Sequence, residues 1–398
     1  MNIWKPEYYD EFTCSASACR YTCCQEWTIA VDDQTKEKWK TLKIPESVVG
    51  IDGFSAKTHL SDLVKRTPDG SVIDMGRQNK FCPFLNGDKL CDIVLAYGED
   101  TISHTCHTFP RKCQQYEQHL EYALDLGCPE ALELLWGKGA FSLVKEEVSE
   151  LTGSMKELAE AVTETGEEDE LLFLVREEAM KLIAREDIPL EKAWIMLFGL
   201  ILDFYEKEEN LSSEYVKGMF SEQFLGKLKE TVMKAGRDPI DHFTERNELF
   251  LDVSENYRKK NLYQSVLKDL TDRADWFELT DDDYVFGTCE EFEEIWKELE
   301  PKIRLVMLEG MYSGLLLPGG SLYSMVLKTE WLALVLTLIK HGLLLRWELD
   351  EAADEEKFRD IIVVLLRMTG YSEADIEEYL ENSFENPIWS WGYMALIV

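Results

Sequence analysis

Cysteine is the residue type whose distribution most clearly indicates chemistry in this chain. Of ten cysteines, only Cys289 lies beyond position 128. The other nine are Cys14, Cys19, Cys23, Cys24, Cys82, Cys91, Cys106, Cys113 and Cys128. Thiolates gathered around a cation become deprotonated and hold loops together, so the clustering favours bound metal or an iron–sulfur cluster.

Disulfides and inert buried thiols are the competing explanations. Disulfides suit secreted proteins, but the first residues show neither the basic nor the apolar region of an export signal. A bridge between the neighbours Cys23 and Cys24 would also be strained. Free cysteines do pack as small apolar groups, yet random burial would not place nine of ten in one third of the chain.

The spacing of the cysteines does not by itself fix the metal. Zinc ribbons usually carry Cys-x2-Cys pairs, and none occurs here. The signature of radical S-adenosylmethionine enzymes, Cys-x3-Cys-x2-Cys, is also absent, because Cys19-x3-Cys23 is followed immediately by Cys24. The nine thiols exceed the four that a tetrahedral zinc needs. This surplus favours an iron–sulfur cluster and leaves zinc as the alternative.

Charge divides the 398-residue chain at the same place as cysteine. Residues 1–128 hold 14 basic and 19 acidic side chains. The remaining 270 residues hold 28 basic and 58 acidic side chains, and the formal charge of the whole chain is −35. We therefore expect a cysteine-rich metal- or cluster-binding region over 1–135 and a second domain over 140–398. Phosphate backbones would be repelled by so anionic a surface, so nucleic acid is not an expected partner.

The elements that position these residues are expected to be mainly α-helical. The first region is rich in turn residues, with short helices predicted at 32–42 and 114–126. The second carries apolar residues at helical spacing. Helices are predicted there at 170–184, 190–205, 213–234, 241–251, 260–274, 290–308, 322–345, 355–368 and 372–384. Breaks are expected at Pro189, Pro239, Pro301, Pro318 and Pro387. The predicted fold is a loop-rich cysteine region packed on a helical C-terminal domain.

Two apolar segments bear on the location of the protein. The segment 331–339 is nine residues long, and spanning a bilayer takes about 20. We therefore expect a soluble, cytoplasmic protein with no membrane partner. The segment 387–398 is too apolar to lie in water and is predicted to dock against the helical domain.

Four cysteine-bearing blocks together resemble the flagellin lysine-N-methylase family. They are residues 12–32 (FTCSASACRYTCCQEWTIAVD), 82–93 (CPFLNGDKLCDI), 103–111 (SHTCHTFPR) and 128–131 (CPEA). As an ordered set they are specific, and they are also similar to the wider group of cysteine-rich zinc- or iron-chelating domains. The resemblance covers about the first third of the chain.

The resemblance implies a protein-lysine N-methyltransferase that acts on flagellin with S-adenosylmethionine and carries a 4Fe-4S cluster. It implies the following metal ligands: Cys14, Cys19, Cys23, Cys24, Cys82, Cys91, Cys106 and Cys128. Cys19, Cys23, Cys91 and Cys106 also fit the wider chelating pattern and are the first choice. Cys113 and Cys289 fall outside it and are expected to be ordinary thiols.

The mode of S-adenosylmethionine binding is not evident, because no Gly-x-Gly-x-x-Gly loop follows a predicted strand. The methionine end could ligate an open cluster iron, or the donor could enter a helical pocket. Arg111, next to the third block, offers a fixed cation for a carboxylate or for thiolates. Trp27 offers a ring for a sulfonium. Structural pairing and core packing are their alternative roles, and no catalytic residue is identified.

A second hypothesis is a non-enzymatic protein. In it, zinc folds the N-terminal third and the helical domain binds a protein partner. A metal-handling protein is a further alternative. The absence of a recognisable cofactor loop favours these classes, and the sequence does not indicate an oligomeric state.

Overall fold

The computed structural model describes residues 1–50, 53–68, 70–75, 80–162, 165–166, 169–234, 238–384 and 386–398. The chain forms two compact units that alternate along the sequence. The helical unit comprises Met1–Asp10, Cys113–Ala123 and Leu132–Val398. The cysteine unit comprises Glu11–Lys112 and Leu124–Ala131. The domain boundary expected near 135–140 stays a prediction.

Over the residues that the structure describes, seven strands form two small sheets. They are β1 (Asn2–Pro6), β2 (Val64–Thr67), β3 (Gly70–Ile73), β4 (Arg111–Tyr116), β5 (His119–Leu124), β6 (Leu143–Glu147) and β7 (Thr165–Gly166). The larger sheet has the order β6-β1-β5-β4-β7, and β2 pairs with β3 as an antiparallel ribbon. In the larger sheet β1 runs parallel to β5, with Ile3 opposite Leu120, and antiparallel to β6.

The helix predicted at 114–126 is wrong, because this segment forms part of β4 and all of β5. Every residue of β5 is buried. The polar residues His119 and Glu121 are buried together with the apolar ones. Tyr116, Leu120 and Leu124 recur at the four-residue spacing of a helix, so the pattern favours a helix over a strand.

The first helices are short. They are α1 (Asp33–Trp39), α2 (Asp92–Tyr97), α3 (His104–Thr108), α4 (Pro129–Trp136) and α5 (Gly153–Ala161). Helix α1 confirms the prediction at 32–42, and it begins where the Asp32 carboxylate accepts a hydrogen bond from the Thr35 amide at 2.8 Å. The apolar core of the cysteine unit includes Trp39, Val48, Leu60 and Phe84, which are all almost fully buried.

The rest of the chain is helical, which confirms a mainly α protein. The helices are α6 (Glu170–Ile183), α7 (Leu190–Glu206), α8 (Ser213–Met219), α9 (Glu222–Lys234), α10 (Pro239–Lys259), α11 (Gln264–Phe277), α12 (Asp282–Gly314), α13 (Leu322–Asp350), α14 (Glu355–Met368), α15 (Glu373–Phe384) and α16 (Trp391–Ile397). The single helix predicted at 213–234 is two helices, α8 and α9.

The break expected at Pro301 is also wrong, because α12 continues through this residue. Proline removes one backbone donor and crowds the carbonyl four residues earlier. Pro301 lies on an exposed part of the helix, where water can satisfy that carbonyl. The buried residues of α12 on both sides of Pro301 hold the helix in place.

Helix α13 lies in the core of the helical unit. It is much longer than the nine-residue apolar segment, and its length and composition would suffice to cross a membrane. However, 83% of its most apolar 18-residue window is buried inside the protein, a pattern that core helices also show. The C-terminal helix α16 docks as predicted: Trp391 Nε1 donates to the Ile195 carbonyl at 3.2 Å, and Thr337 Oγ1 to that of Ile397 at 3.2 Å.

Candidate functional site

The cysteine unit holds the first candidate site, and backbone contacts bring its first two blocks together. The Cys82 amide donates to the Cys24 carbonyl at 2.7 Å. Leu85 and Cys91 pair as an isolated bridge, so Cys91 folds back beside the same segment. Cys91 is also the residue that precedes α2. The cysteines of these two blocks therefore share one neighbourhood.

Cys106 is positioned by the short helix α3. Its amide donates to Ser103 Oγ at 3.2 Å, which caps the start of the helix. The His104 amide donates to Asp32 Oδ2 at 2.9 Å, so the residue that caps α1 also fixes the start of α3. Cys106 packs against the apolar core of the cysteine unit.

The Cys23 thiol is the shared neighbour of the set. It interacts electrostatically with Cys19, Cys82, Cys91, Cys106 and Cys128. Burial, together with the nearby charges of Cys23 and Cys91, raises the pKa of Cys106 to about 12 against the hydrogen bonds from Ser103. Burial likewise raises the pKa of Cys128 to about 12. Without a cation, these thiols hold their protons.

The two remaining candidate ligands lie at the margin of this set. Cys14 is exposed, and its sulfur accepts a hydrogen bond from the Ala16 amide at 3.4 Å. Its charge interacts with Cys19. Cys24 is half-buried and packs against the apolar core.

Arg111 and Trp27 make identifiable contacts within the cysteine unit. The Arg111 guanidinium donates to the Phe12 carbonyl at 3.3 Å and lies 4.8 Å from the centre of the Phe12 ring. Trp27 Nε1 donates to the Cys23 carbonyl at 2.5 Å, and its ring meets Phe109 edge-on at 4.7 Å. Both side chains thus anchor segments that carry cysteines, and their roles toward a cofactor stay predictions.

The thiol set suits a soft metal or an iron–sulfur cluster in its donor chemistry. Thiolates prefer such cations, and binding would displace protons from the buried thiols. Over the described ranges of the chain, however, no three His, Cys, Asp or Glu side chains stand in a metal-ligating arrangement. The residues therefore fit by type and neighbourhood, and over the same described ranges they show no ready-made ligand geometry.

The cysteines outside the family pattern lie in the helical unit. Burial raises the pKa of Cys113, on β4, to about 11. Burial also raises the pKa of Cys289, on α12, while the nearby cations of Arg246 and Lys340 lower it. Cys289 lines a cavity, which is the second candidate site.

This cavity has a volume of about 510 Å³ and lies among α7, α9, α10, α12 and α13. Its charged lining includes Glu191, Arg246, Glu290, Glu293 and Lys340. A volume of this size is typical of small-molecule sites.

Lys340 and Arg246 differ in how they are paired. Lys340 Nζ lies 2.6 Å from Glu191 Oε1 and 2.7 Å from Glu293 Oε1. Arg246 is only 3% exposed, and no described residue offers its Nε or Nη1 a hydrogen-bond partner. Burial lowers the pKa of Arg246, and the charges of Cys289, Glu293 and Glu191 oppose that shift.

A second cavity of about 500 Å³ lies beside α13, α10 and α15. Trp331 and Tyr371 stack there with ring centres 5.3 Å apart. Asp252, on its rim, accepts a hydrogen bond from the Tyr379 hydroxyl at 2.7 Å. Its aromatic residues are thereby fixed in place.

The sequence reasoning missed the charged cavity entirely. Its signal was present, since Lys340 and His341 interrupt an apolar stretch of α13, and charged groups are almost never buried unless paired. The sequence does not show which helices meet, however, and so does not connect Lys340 with Arg246 or Glu191.

Known proteins resemble the chain in both sequence and domain content. Residues 176–397 match the family described as FliB lysine N-methylase C-terminal domain. The Lysine-N-methylase of Salmonella typhimurium is 32% identical over 130 residues, or 33% of this chain and 31% of that protein. The Flagellar biosynthetic protein FliU of Salmonella muenchen is 31% identical over 130 residues, or 74% of its length. The matched segment thus spans about a third of the Salmonella typhimurium relative. No solved structure is significantly similar.

Proposed function

We propose that this chain, which belongs to the FliB lysine N-methylase family, is a protein-lysine N-methyltransferase that acts on flagellin with S-adenosylmethionine. The observation that carries the proposal is the family match over residues 176–397, more than half of the chain. A relative named for flagellar biosynthesis supports a flagellar protein as the substrate.

The reaction is a displacement at a methyl carbon. The neutral ε-amine of the acceptor lysine forms the new N–C bond as the sulfonium S–C bond breaks, and the ammonium product then loses a proton. S-adenosylhomocysteine leaves. Such a step depends on holding the amine in line with the methyl group and on a group that accepts the proton.

The cysteine unit is proposed to hold a 4Fe-4S cluster. Cys19, Cys23, Cys91 and Cys106 are the proposed ligands, with Cys82 and Cys128 as close neighbours of Cys23. The bound cluster would supply a charged centre that joins the cysteine-bearing segments. The contacts of Trp27 and Arg111 with Cys23 and Phe12 support a role in shaping this centre.

We place the reaction in the cytoplasm. No disulfide joins any of the ten cysteines, all of which lie among the described residues, and thiols stay reduced in that compartment. The same reducing conditions favour an iron–sulfur cluster over disulfides.

The direct test is methylation of flagellin in solution. The full chain, purified without oxygen, is incubated with flagellin and trideuteromethyl-labelled S-adenosylmethionine, and the tryptic peptides are analysed by mass spectrometry. We expect labelled methyl groups on lysine-containing peptides and none when S-adenosylhomocysteine replaces the donor. Flagellin that stays unmodified under both anaerobic reducing and aerobic conditions would contradict the proposal.

A further inference from the structure

The inference begins with the unusual pairing of Arg246. This side chain is 3% exposed and lines the 510 Å³ cavity, yet within the described chain its Nε and Nη1 have no hydrogen-bond partner. A buried charge without a hydrogen-bonded partner is strongly unfavourable. The guanidinium is therefore set up to receive an anion that enters the cavity.

The protein's own carboxylates do not fill this role. Glu191 and Glu293 are near enough to interact with Arg246 electrostatically, but both form close ion pairs with Lys340, at 2.6 and 2.7 Å. Lys340 is thus neutralised within the protein. Lys192 and His242 also line the cavity, and His242 Nδ1 contacts the Leu396 carbonyl. Arg246 is the lining cation whose Nε and Nη1 have no hydrogen-bond partner among the described residues.

The lining of the cavity limits the class of anion. Three carboxylates, those of Glu191, Glu290 and Glu293, line it beside Arg246, and they would oppose a phosphate dianion. A ligand that carries one carboxylate beside an ammonium group suits this mixed charge. The Arg246 guanidinium can bind the carboxylate in a forked contact. The Glu290 side chain is exposed and can accept the ammonium group.

The apolar part of the lining suits a flat ring. Phe286, Met233 and Pro239 belong to it, and Phe286 and Met233 are 41% and 49% exposed. An exposed aromatic ring next to a charged pocket is a surface on which a nucleobase can stack.

We propose that this cavity binds S-adenosylmethionine through its amino-acid end, with Arg246 holding the carboxylate and Glu290 the ammonium. The inference rests on the proposed function, and it assigns donor binding to the helical unit and to no cysteine. Arg246 is here a binding residue, and the transfer step itself is not assigned to it.

Calorimetry with S-adenosylhomocysteine as the probe tests this assignment on the full chain. We expect Arg246→Met to weaken binding by about thirty-fold or more, the range for loss of a buried charge partner. Arg246→Lys should weaken it less, because the charge stays and the fork is lost. Lys297→Met, an exposed change on α12, is the control and should bind like the wild type. Adenosine, which lacks the amino-acid end, should bind Arg246→Met and wild type equally.

A second readout separates binding from folding. Without ligand, Arg246→Met should melt at the same temperature as the wild type or higher, because an unpaired buried charge is removed. S-adenosylhomocysteine should raise the melting temperature of the wild type but not of this variant. An equal rise in both proteins, or no binding by the wild type, would overturn the inference.

The outcome is distinguishable from that of the methylation test. Methylated flagellin with Arg246-independent binding leaves the proposed function standing and removes this site. Arg246-dependent binding without methylated flagellin supports this site and contradicts the proposed function. Binding of inorganic phosphate in preference to S-adenosylhomocysteine would also overturn the assignment.

Discussion

Arg176 Nη1 lies 2.8 Å from Glu121 Oε2, and together the two side chains form a buried ion pair between α6 and β5. Arg176 is 4% exposed and Glu121 is 3% exposed. The pair joins the sheet of the helical unit to its first long helix. Burial opposes the charge on Glu121, but the hydrogen bonds from His119 and Arg176 lower its pKa overall.

Breaking this pair should destabilise the helical unit. Glu121→Gln leaves the Arg176 charge buried without its counter-ion, so we expect a loss of about 3–5 kcal/mol in the free energy of unfolding. Urea denaturation measures the loss. Lys181→Met, an exposed change on the same helix, should alter it by less than about 0.5 kcal/mol. Equal stability of Glu121→Gln and the wild type would show that the pair is not structural.

Metal content should depend on Cys23 more than on a cysteine outside the set. We expect anaerobically purified protein to be brown, with equal iron and sulfide. Cys23→Ser should lose most of both, because Cys23 interacts electrostatically with Cys19, Cys82, Cys91, Cys106 and Cys128. Elemental analysis with the visible spectrum measures this.

Cys113→Ser is the matched control, since Cys113 is also half-buried but lies on β4 in the helical unit. It should keep its iron. A colourless protein with stoichiometric zinc would favour the scaffold hypothesis, and equal iron in both variants would exclude Cys23 as a ligand.

Stability should fall as the pH rises toward the pKa of Glu330. Burial raises this pKa to about 8, although the hydrogen bond from the Trp389 amide lowers it. The folded state thus holds a proton that the unfolded state releases near pH 4.5. The favourable contribution is complete below that pH and is lost as the pH rises through about 8.

Glu330→Gln keeps an acceptor for Trp389 and removes the charge. Urea denaturation should show similar stability of the variant and the wild type at pH 5. At pH 9 the free energy of unfolding of the variant should exceed that of the wild type by on the order of 3 kcal/mol. Glu298→Gln, an exposed change on α12, should show no such pH dependence. A Glu330→Gln profile parallel to that of the wild type would refute the assignment.

Asp32 should stabilise the cysteine unit at both helices it contacts. Asp32→Ala removes the acceptor for the Thr35 amide and for the His104 amide, and we expect a cost of about 1–2 kcal/mol. Burial raises the Asp32 pKa, but these bonds lower it overall. Its contribution is therefore present above the unfolded pKa and lost as the pH falls through the folded one.

Hydrogen exchange at α1 and α3 measures the effect in both helices at once. Asp33→Ala, one residue along and exposed, is the control and should leave α3 unchanged. Faster exchange in α1 alone would mean that the contact with His104 is not significant.

The helical pattern was readable from the sequence because amphipathic helices repeat their apolar residues every three or four positions. Helix α14 was predicted to the residue. The segment of β5 was misread because Tyr116, Leu120 and Leu124 recur at helical spacing. Pro301 was misread because an exposed proline is compatible with a long helix. The concentration of cysteines in the first third of the chain is evident from the sequence, and their role as ligands stays a prediction. The cavity at Arg246 was not, because it depends on which helices meet in space.

The order of the two units along the chain has a consequence for synthesis on the ribosome. Strand β1 emerges more than a hundred residues before its partners β5 and β6. The intervening segment Glu11–Lys112 is nearly all of the cysteine unit. This segment can therefore acquire structure before β1 pairs with β5 and β6. Because segments generally fold as they emerge, the proposed loading of a cluster onto these cysteines would precede completion of the helical unit. On that proposal, the supply of metal during translation would influence how much of the newly made protein reaches the native state.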